Sequence, residues 1–351
     1  MNRDLYNERQ EWRQGPNPAG PSDKTLAVVA FVGADNVPIA VYMNYAMHPI
    51  NFYLSGVVSS DFPGEACKYV EDLYGNRTVA LFSQGASGDQ NPRLGYSPAF
   101  STAPFRNGRG PAPLTVLSGR LAATPPAAAA PVAPPVAAPA PAGVASAPRA
   151  AQSSAEGNFN PAAAAAERGP VPPELLESYH KTLDRVGGYA TMLGQMIGST
   201  AERVIREEMK FTDSATIWGA EKTFSVPGRT RLDVDNPARE NVFPGYRDGP
   251  DVNLNVGLLR VGDVHFARVN GEIYTNIGLG LKKASPAAKT LVVTLANGRA
   301  NSGYIYSDDA YNHLSFQVIG SRLKPGYAEK GIIGAAVELI DQSNREAGLR
   351  R

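Results

Sequence analysis

Apolar and polar positions follow two different periods in the first part of the chain. Thr25 to Val32 (TLAVVAFV) and Pro38 to Ala46 (PIAVYMNYA) are short apolar runs, rich in β-branched or aromatic residues, as is typical of strands. The turn residues at 33–36 separate them, so the two runs predict a β-hairpin. From Asp61 the apolar residues recur at helical spacing, which predicts a helix that ends near Gly75.

The predicted helix leads into a further strand, Thr78 to Phe82 (TVALF). A strand, a crossover helix and a strand of this length form a βαβ unit with two parallel strands. Parallel strands end at the same edge of a sheet, where open α/β sheets bind ligands. His48, after the second strand, is therefore expected to lie beside the Gly-rich loop Ser83 to Arg93.

The second half of the chain alternates between strand and helix patterns. The strand candidates are Thr216 to Phe224, Arg231 to Val234, Asn253 to Arg260, Val264 to Val269 and Leu291 to Leu295. The helix candidates are a long one from Glu174, either continuous or broken at Gly187 and Gly188, one from Glu272 to Lys283, and one from Pro325 to Ala347. These patterns predict an α/β fold with a mixed sheet, a βαβ unit and flanking helices.

Residues 97–172 interrupt this plan with a stretch rich in Ala, Pro, Gly and Ser. Between Leu121 and Pro148, 13 residues are Ala and 8 are Pro. Such a composition cannot bury enough apolar surface to offset chain entropy, so we expect a disordered insertion without catalytic residues. The expected organisation is one α/β domain, made of residues 1–96 and 173–351, with the insertion at 97–172.

Charge and composition exclude several classes of function. The net charge of +1 gives no electrostatic footprint for nucleic acid. Cys67 is the only cysteine, which excludes an intrachain disulfide framework. The longest apolar run, Leu26 to Val32, is too short to span a bilayer, and Met1 to Gln14 lacks the apolar region of a secretory signal. As written, the chain is expected to be cytoplasmic, with no transmembrane segment.

Few side chains in the sequence are candidates for chemistry. His48 ends an apolar strand and faces the Gly-rich loop, whereas surface or packed positions are expected for the other histidines, His180, His265 and His313. Ser83 and Ser87 leave open a metal-free serine esterase, but a nucleophile elbow would need glycine at position 89, where Asp89 stands. Walker and dinucleotide glycine motifs are also missing.

Four blocks in order carry a resemblance to a known family. They are Asn44 to Ala66 (NYAMHPINFYLSGVVSSDFPGEA), Val79 to Arg93 (VALFSQGASGDQNPR), Asn270 to Pro286 (NGEIYTNIGLGLKKASP) and Leu295 to Tyr311 (LANGRANSGYIYSDDAY). The chain resembles the neutral/alkaline non-lysosomal ceramidase family and its bacterial relatives. The resemblance covers most of the chain outside the insertion and implies a partial ceramidase-like catalytic domain.

The resemblance implies a zinc site and an amide substrate. In that family a zinc-activated water attacks the amide carbonyl of an N-acyl sphingoid base, so the expected substrate is an N-acyl amide or lipid-like small molecule. The motifs place the zinc ligands at His48, Glu272 and Tyr304, and imidazole and carboxylate are ordinary ligands of a hydrolytic zinc. From the residues alone, Glu272 could instead be a first-turn carboxylate and Tyr304 a packed aromatic residue.

Three further residues are expected around this site. Asn91 stands where ceramidases have a serine before the proline, and its side chain could donate a hydrogen bond to a developing oxyanion. Asp89 is a catalytic candidate in the same loop. Asp61 and Asp89 could also orient a ligand imidazole or a polar group of the substrate.

One family element has no counterpart in this sequence. The family's other zinc histidine belongs to an upstream T-H-T/S-H motif, so the chain resembles a member that lacks its N-terminal third, including the signal peptide that secreted or periplasmic relatives carry. A zinc-dependent amide hydrolase with an impaired site is the preferred hypothesis. The alternative is a catalytically inactive remnant or binding module, and the oligomeric state is left open.

Overall fold

The computed structural model of the protein describes residues 1–53, 55, 57–92, 176–235 and 240–348. The insertion predicted at residues 97–172 lies outside the described residues, and so do the domain boundaries on either side of it.

A three-stranded sheet forms the first layer, with strand order β3-β4-β5. Strand β3 (Ala27–Val32) is antiparallel to β4 (Pro38–Tyr45), which confirms the predicted hairpin. Helix α1 (Asp61–Leu73) connects β4 to the parallel strand β5 (Val79–Gln84), which confirms the βαβ unit. A separate antiparallel pair, β1 (Asn2–Tyr6) and β2 (Trp12–Asn17), precedes this sheet.

Helix α2 (Leu176–Glu207) packs on α1 and completes the first core. The buried side chains of this core come from β4, β5, α1 and α2 and include Val41, Met43, Phe62, Ala66, Val70, Ile197 and Ala201. Within its described length the helix runs unbroken through Gly187 and Gly188, so of the two alternatives the continuous helix is confirmed and the broken pair is wrong. Two glycines weaken a helix by about 1 kcal/mol each, and the burial of one long helical stripe outweighs that.

A four-stranded sheet with the order β10-β8-β7-β6 forms the second layer. Strands β6 (Ile217–Arg231), β7 (Tyr246–Val261) and β8 (Val264–Val269) are antiparallel neighbours, and β10 (Lys289–Val293) is parallel to β8. The strand candidate at 216–224 is confirmed as the first part of β6, whereas the candidate at 231–234 is wrong. The chain passes Pro227 and Gly228 with a shift of register inside β6 and leaves the sheet after Arg231.

The second half also contains the α-helices α3 (Thr275–Ala284), α4 (Phe316–Gly320) and α5 (Ala328–Glu346). Helices α3 and α5 pack against each other, and their apolar residues join those of the four-stranded sheet in one core. The fold is therefore mixed α/β, as predicted. Among the described residues, no helix is long and apolar enough to cross a membrane.

The prediction that Glu272 opens a helix is wrong. Glu272 and Ile273 form the short strand β9, which is parallel to β11 (Tyr304–Ile305). Because these two residues pair with a neighbouring strand, their backbone stays extended, and the helix starts only at Thr275. The first-turn interpretation of the Glu272 carboxylate is wrong for the same reason.

Candidate functional site

His48 follows strand β4 and contacts residues from both halves of the chain, Gln90 and Glu272. Its backbone N–H donates to the carbonyl oxygen of Gln90 (3.3 Å), and its Nδ1 lies 2.9 Å from the same oxygen. A carbonyl oxygen only accepts hydrogen bonds, so Nδ1 carries a proton. The Gly-rich loop thereby holds the imidazole at the sheet edge, as predicted, and directs Nε2 away from the loop.

The Nε2 atom of His48 lies 2.5 Å from Oε1 of Glu272. Burial raises the pKa of the Glu272 carboxyl. The hydrogen bond from His48 and the charges of His48 and Arg3 more than offset this effect, so the pKa of Glu272 lies below its ordinary value. The carboxylate is therefore ionised at neutral pH, as a metal ligand must be.

Tyr304 is brought to the same point by the pairing of β9 with β11, in which it lies directly beside Glu272. Its ring centroid is 6.5 Å from that of His48, and its hydroxyl interacts with Glu272 and Arg3. Burial raises the pKa of Tyr304 to about 12, although the Arg3 charge acts in the opposite direction. The phenol is thus protonated at pH 7, and a bound metal would have to displace that proton.

Arg3 is part of this cluster and was not found from the sequence. Its side chain is 4% exposed, and its guanidinium lies 5.3 Å from the ring centroid of Tyr304. Nη1 donates to Oδ1 of Asn91 (3.1 Å), and Nη2 donates to the carbonyl of Gly88 (2.6 Å). A buried arginine in a short polar strand leaves no apolar periodicity, so no pattern in the sequence indicates it.

Asp89 lies in the same Gly-rich loop and bonds to two other segments of the chain, and its catalytic assignment stays a prediction. The carboxylate is buried; Oδ1 accepts from the backbone N–H of Thr275 (2.8 Å), and Oδ2 accepts from Nδ2 of Asn2 (2.7 Å). Burial raises the pKa of Asp89, and the Thr275 hydrogen bond lowers it in part. Asp89 thus caps the start of α3 and ties the Gly-rich loop to β1.

Asn91 lies next to the cluster. Its Oδ1 accepts a hydrogen bond from Arg3, and its backbone N–H donates to the carbonyl of Met1 (2.9 Å). Its role as a donor to an oxyanion stays a prediction.

Asp61 accepts from Nδ2 of Asn51 (2.5 Å) and from the backbone N–H of Phe62 (2.7 Å). The ring nitrogens of His48 contact Gln90 and Glu272, so Asp61 does not orient the imidazole directly. Its hydrogen bond with Asn51 instead holds the turn that follows His48.

The serine candidates have structural partners. The Ser83 hydroxyl contacts Tyr42 and accepts from Nδ2 of Asn44 (2.8 Å), and the Ser87 hydroxyl accepts from Nε2 of Gln84 (2.6 Å). None of these partners is a histidine, so the geometry gives no support to a serine esterase.

The remaining histidines lie elsewhere. His180 is exposed on α2, and His265 is buried in β8 with Nδ1 on the carbonyl of Asp263 (3.2 Å). His313 stacks on Trp12, with ring centroids 3.7 Å apart.

The donor set at His48, Glu272 and Tyr304 fits zinc in number and type, since three protein ligands and one open position are usual for a catalytic zinc. Two zinc ligands lie roughly 3.3 Å apart in tetrahedral geometry. His48 and Glu272 would therefore separate by somewhat less than 1 Å to admit an ion. The part of the chain that the structure describes contains no group of three or more His, Cys, Asp or Glu side chains that could hold a metal. Beside His48 and Glu272, the third donor of the expected set would be the phenol of Tyr304.

The chain is similar in structure to two ceramidases. One is the neutral ceramidase from Pseudomonas aeruginosa, at 12% identity and a TM-score of 0.49, over 92% of this chain and 47% of that one. The other is a ceramidase described as complexed with C2, at 11% identity and a TM-score of 0.51, over 94% of this chain and 50% of that one. What they share is a fold.

The chain spans about half the length of these structures. No protein-family model matches it, and no curated protein sequence matches it. At this level of identity, the similarity shows that the chain has a ceramidase-like fold. The chemistry of the site has to be inferred from its own residues.

Proposed function

We propose that the chain is a zinc-dependent hydrolase of linear amides of the neutral ceramidase type, acting on an N-acyl sphingoid base or a similar lipid-like amide. The observation that carries the proposal is the contact of His48 with Glu272, with Tyr304 paired beside it. The structural similarity to ceramidases supports the substrate class. When bound, zinc would supply Lewis acidity and a water molecule of lowered pKa.

The residues of the chain would prepare the site for that ion. Gln90 holds the proton on Nδ1 of His48, so Nε2 would offer its lone pair to a metal once the ion displaces the proton that Nε2 donates to Glu272. Glu272 supplies negative charge, and Tyr304 supplies a phenol. Arg3 provides a fixed positive charge next to Tyr304, suited to stabilising the negative oxygen that develops as an amide carbonyl is attacked.

The alternative, a metal-free binding module, is favoured by one observation. His48 and Glu272 satisfy each other directly, and the Arg3 guanidinium already balances charge in the cluster. Such a site could bind a polar lipid headgroup without hydrolysing it. The two hypotheses differ in zinc content and in turnover.

The test uses the 351-residue chain, stripped of metal and then dialysed against zinc. Zinc per chain is measured by atomic emission, and release of fatty acid from N-acyl sphingosine is followed in detergent micelles. We expect about one zinc per chain and zinc-dependent release. A folded chain that retains no zinc and releases no fatty acid, but binds the micellar lipid, would support the binding module instead.

A further inference from the structure

Asp4 follows Arg3 on β1 and carries a buried carboxylate that the proposed chemistry does not use. Its side chain is 3% exposed. Oδ2 accepts from the Tyr274 hydroxyl (2.9 Å) and the Ser315 hydroxyl (3.2 Å), and it lies 3.5 Å from Nδ1 of His313. Oδ1 accepts from Nε2 of Gln317 (3.2 Å). One carboxylate thus collects hydrogen bonds from two separate segments of the chain.

Three partners of Asp4 lie close in sequence to residues that form or contact the candidate site. Tyr274 is two residues after Glu272. Ser315 and Gln317 flank Phe316, whose ring packs edge-on against Tyr304, with centroids 5.7 Å apart and planes at 87°. The Arg3 guanidinium also lies 5.3 Å from the Phe316 ring centroid. The hydrogen bonds of Asp4 therefore connect the backbones that carry Arg3, Glu272 and the packing partner of Tyr304.

The two side chains have different partners. The Arg3 guanidinium lies 5.3 Å from the ring centroids of Tyr304 and Phe316, whereas the Asp4 carboxylate accepts from Tyr274, Ser315 and Gln317. Strand β1 is attached independently of Asp4, because Arg3 N–H donates to the carbonyl of Asp89 (2.8 Å) and Asn91 N–H donates to that of Met1 (2.9 Å). Asp4 is thus not required merely to keep the strand in place.

A buried carboxylate costs free energy unless its oxygens are fully paired, and an apolar side chain of similar size would avoid that cost. Packing alone therefore does not explain why position 4 has a carboxylate. We propose that Asp4 is a positioning residue that fixes the Arg3 guanidinium against Tyr304 by tying β1 to Tyr274 and to both neighbours of Phe316. The effect on turnover rests on the proposed function, whereas the effect on Arg3 does not.

The test compares Asp4→Asn with Glu71→Gln. Glu71 is a matched control, because its carboxylate also joins two elements, through the backbone N–H of Ala80 (3.0 Å), but it is half-buried on α1, away from the site. The direct readout is solvent exchange of the Arg3 Nε–H signal in nitrogen-15 NMR, assigned with Arg3→Lys. The second readout is kcat and KM for fatty-acid release from N-acyl sphingosine.

We expect Asp4→Asn to accelerate Arg3 Nε–H exchange by about tenfold or more, and to lower kcat by roughly 10- to 100-fold with KM within twofold. Glu71→Gln should change neither quantity. Asp4→Glu, which keeps the charge, should recover part of the protection. Unchanged exchange in a folded Asp4→Asn chain would overturn the proposal, as would an equal change in Glu71→Gln.

Two further outcomes are covered. If Asp4→Asn does not fold, Ser315→Ala removes one donor while leaving the carboxylate, and it should accelerate Arg3 exchange in the same direction. Unchanged exchange in that variant would then count against Asp4. If the wild-type chain shows no turnover, the proposed hydrolase fails, while the exchange measurement still decides the role of Asp4.

Discussion

Nε2 of His48 lies 2.5 Å from Oε1 of Glu272, although 224 residues separate them in the chain. The turn at residues 88–90 brings the two together. The carbonyl of Gln90 holds the imidazole, and the N–H of Gly88 donates to the carbonyl of Ile273, next to Glu272 (2.8 Å). The contact is therefore set by backbone pairing on both sides, as a preorganised site requires.

The first prediction concerns metal affinity. His48→Gln and Glu272→Gln each remove one proposed ligand while keeping a side chain that can still form hydrogen bonds. The loss in zinc affinity should exceed the roughly 10- to 100-fold that is typical of losing an outer-shell partner. Competition with a chromophoric zinc chelator measures it.

His180→Gln is the matched control, because this histidine is exposed on α2 and its loss should leave zinc affinity unchanged. Equal zinc binding by all three variants and the wild type would place the metal elsewhere or exclude it.

The second prediction concerns Arg3. Arg3→Met keeps an unbranched side chain but leaves Oδ1 of Asn91 and the carbonyl of Gly88 without their donor, which should cost about 2 to 4 kcal/mol of unfolding free energy. Zinc stoichiometry should be retained, while kcat falls by about 100-fold or more, since a fixed positive charge near the developing oxyanion is lost. Urea titration and fatty-acid release measure the two effects.

Arg229→Met separates catalysis from stability. Arg229 is also buried, donates to the carbonyls of Ser321 (3.0 Å) and Val318 (2.5 Å), and stacks on the Tyr246 ring. Its loss should destabilise the chain to a similar extent, with kcat per folded molecule within twofold of the wild type. A parallel fall of kcat in both variants would assign Arg3 a purely structural role.

The parts of the fold that the sequence predicts are those with a regular apolar period. The hairpin, the βαβ unit and the position of His48 beside the Gly-rich loop follow from period-two runs, a helical run and the geometry of parallel strands. The location of one side of the site was therefore predictable. The identity of Glu272 and Tyr304 as candidates came from the resemblance of their motifs to a family.

Other parts of the fold have no regular apolar period in the sequence. Strand β1 (NRDLY) has buried polar residues, so it looks like a solvated segment, and Arg3 and Asp4 were not recognised. The helical pattern after Gly271 begins at Thr275, because β9 pairs with β11, a contact that no local pattern encodes. In both cases long-range pairing overrides local preference.

The third prediction concerns Cys67 on α1. Burial, and to a smaller extent the Glu71 charge, raises the pKa of the thiol to about 11. The thiolate is the reactive form, so at pH 8 alkylation by iodoacetamide should be about 100-fold slower than for a thiol of ordinary pKa. The rate should rise about tenfold per pH unit up to pH 10, and urea should remove the difference.

Glu71→Gln removes the charge that contributes to this shift, so it should lower the pKa of Cys67 and speed alkylation at pH 8. Mass spectrometry of the labelled peptide gives the rates. Rapid labelling of the native wild-type chain at pH 8 would show that the thiol is not shielded in this way.

The last prediction uses two glycines of helix α2. A Cβ at Gly194 would lie 2.3 Å from Cβ of Glu65 and 2.7 Å from the backbone nitrogen of Ala66, so α1 and α2 touch there without room for a side chain. A Cβ at Gly188 would have nothing within 4 Å. Gly194→Ala should therefore destabilise the chain by about 1 to 3 kcal/mol, through forced separation of the helices. Gly188→Ala should stabilise it by up to about 1 kcal/mol, because alanine has the higher helix propensity. Urea unfolding followed by circular dichroism measures both changes, which should have opposite signs. If both substitutions stabilise the chain, the helices are not in close contact at Gly194. If both destabilise it, the helix is broken near Gly188.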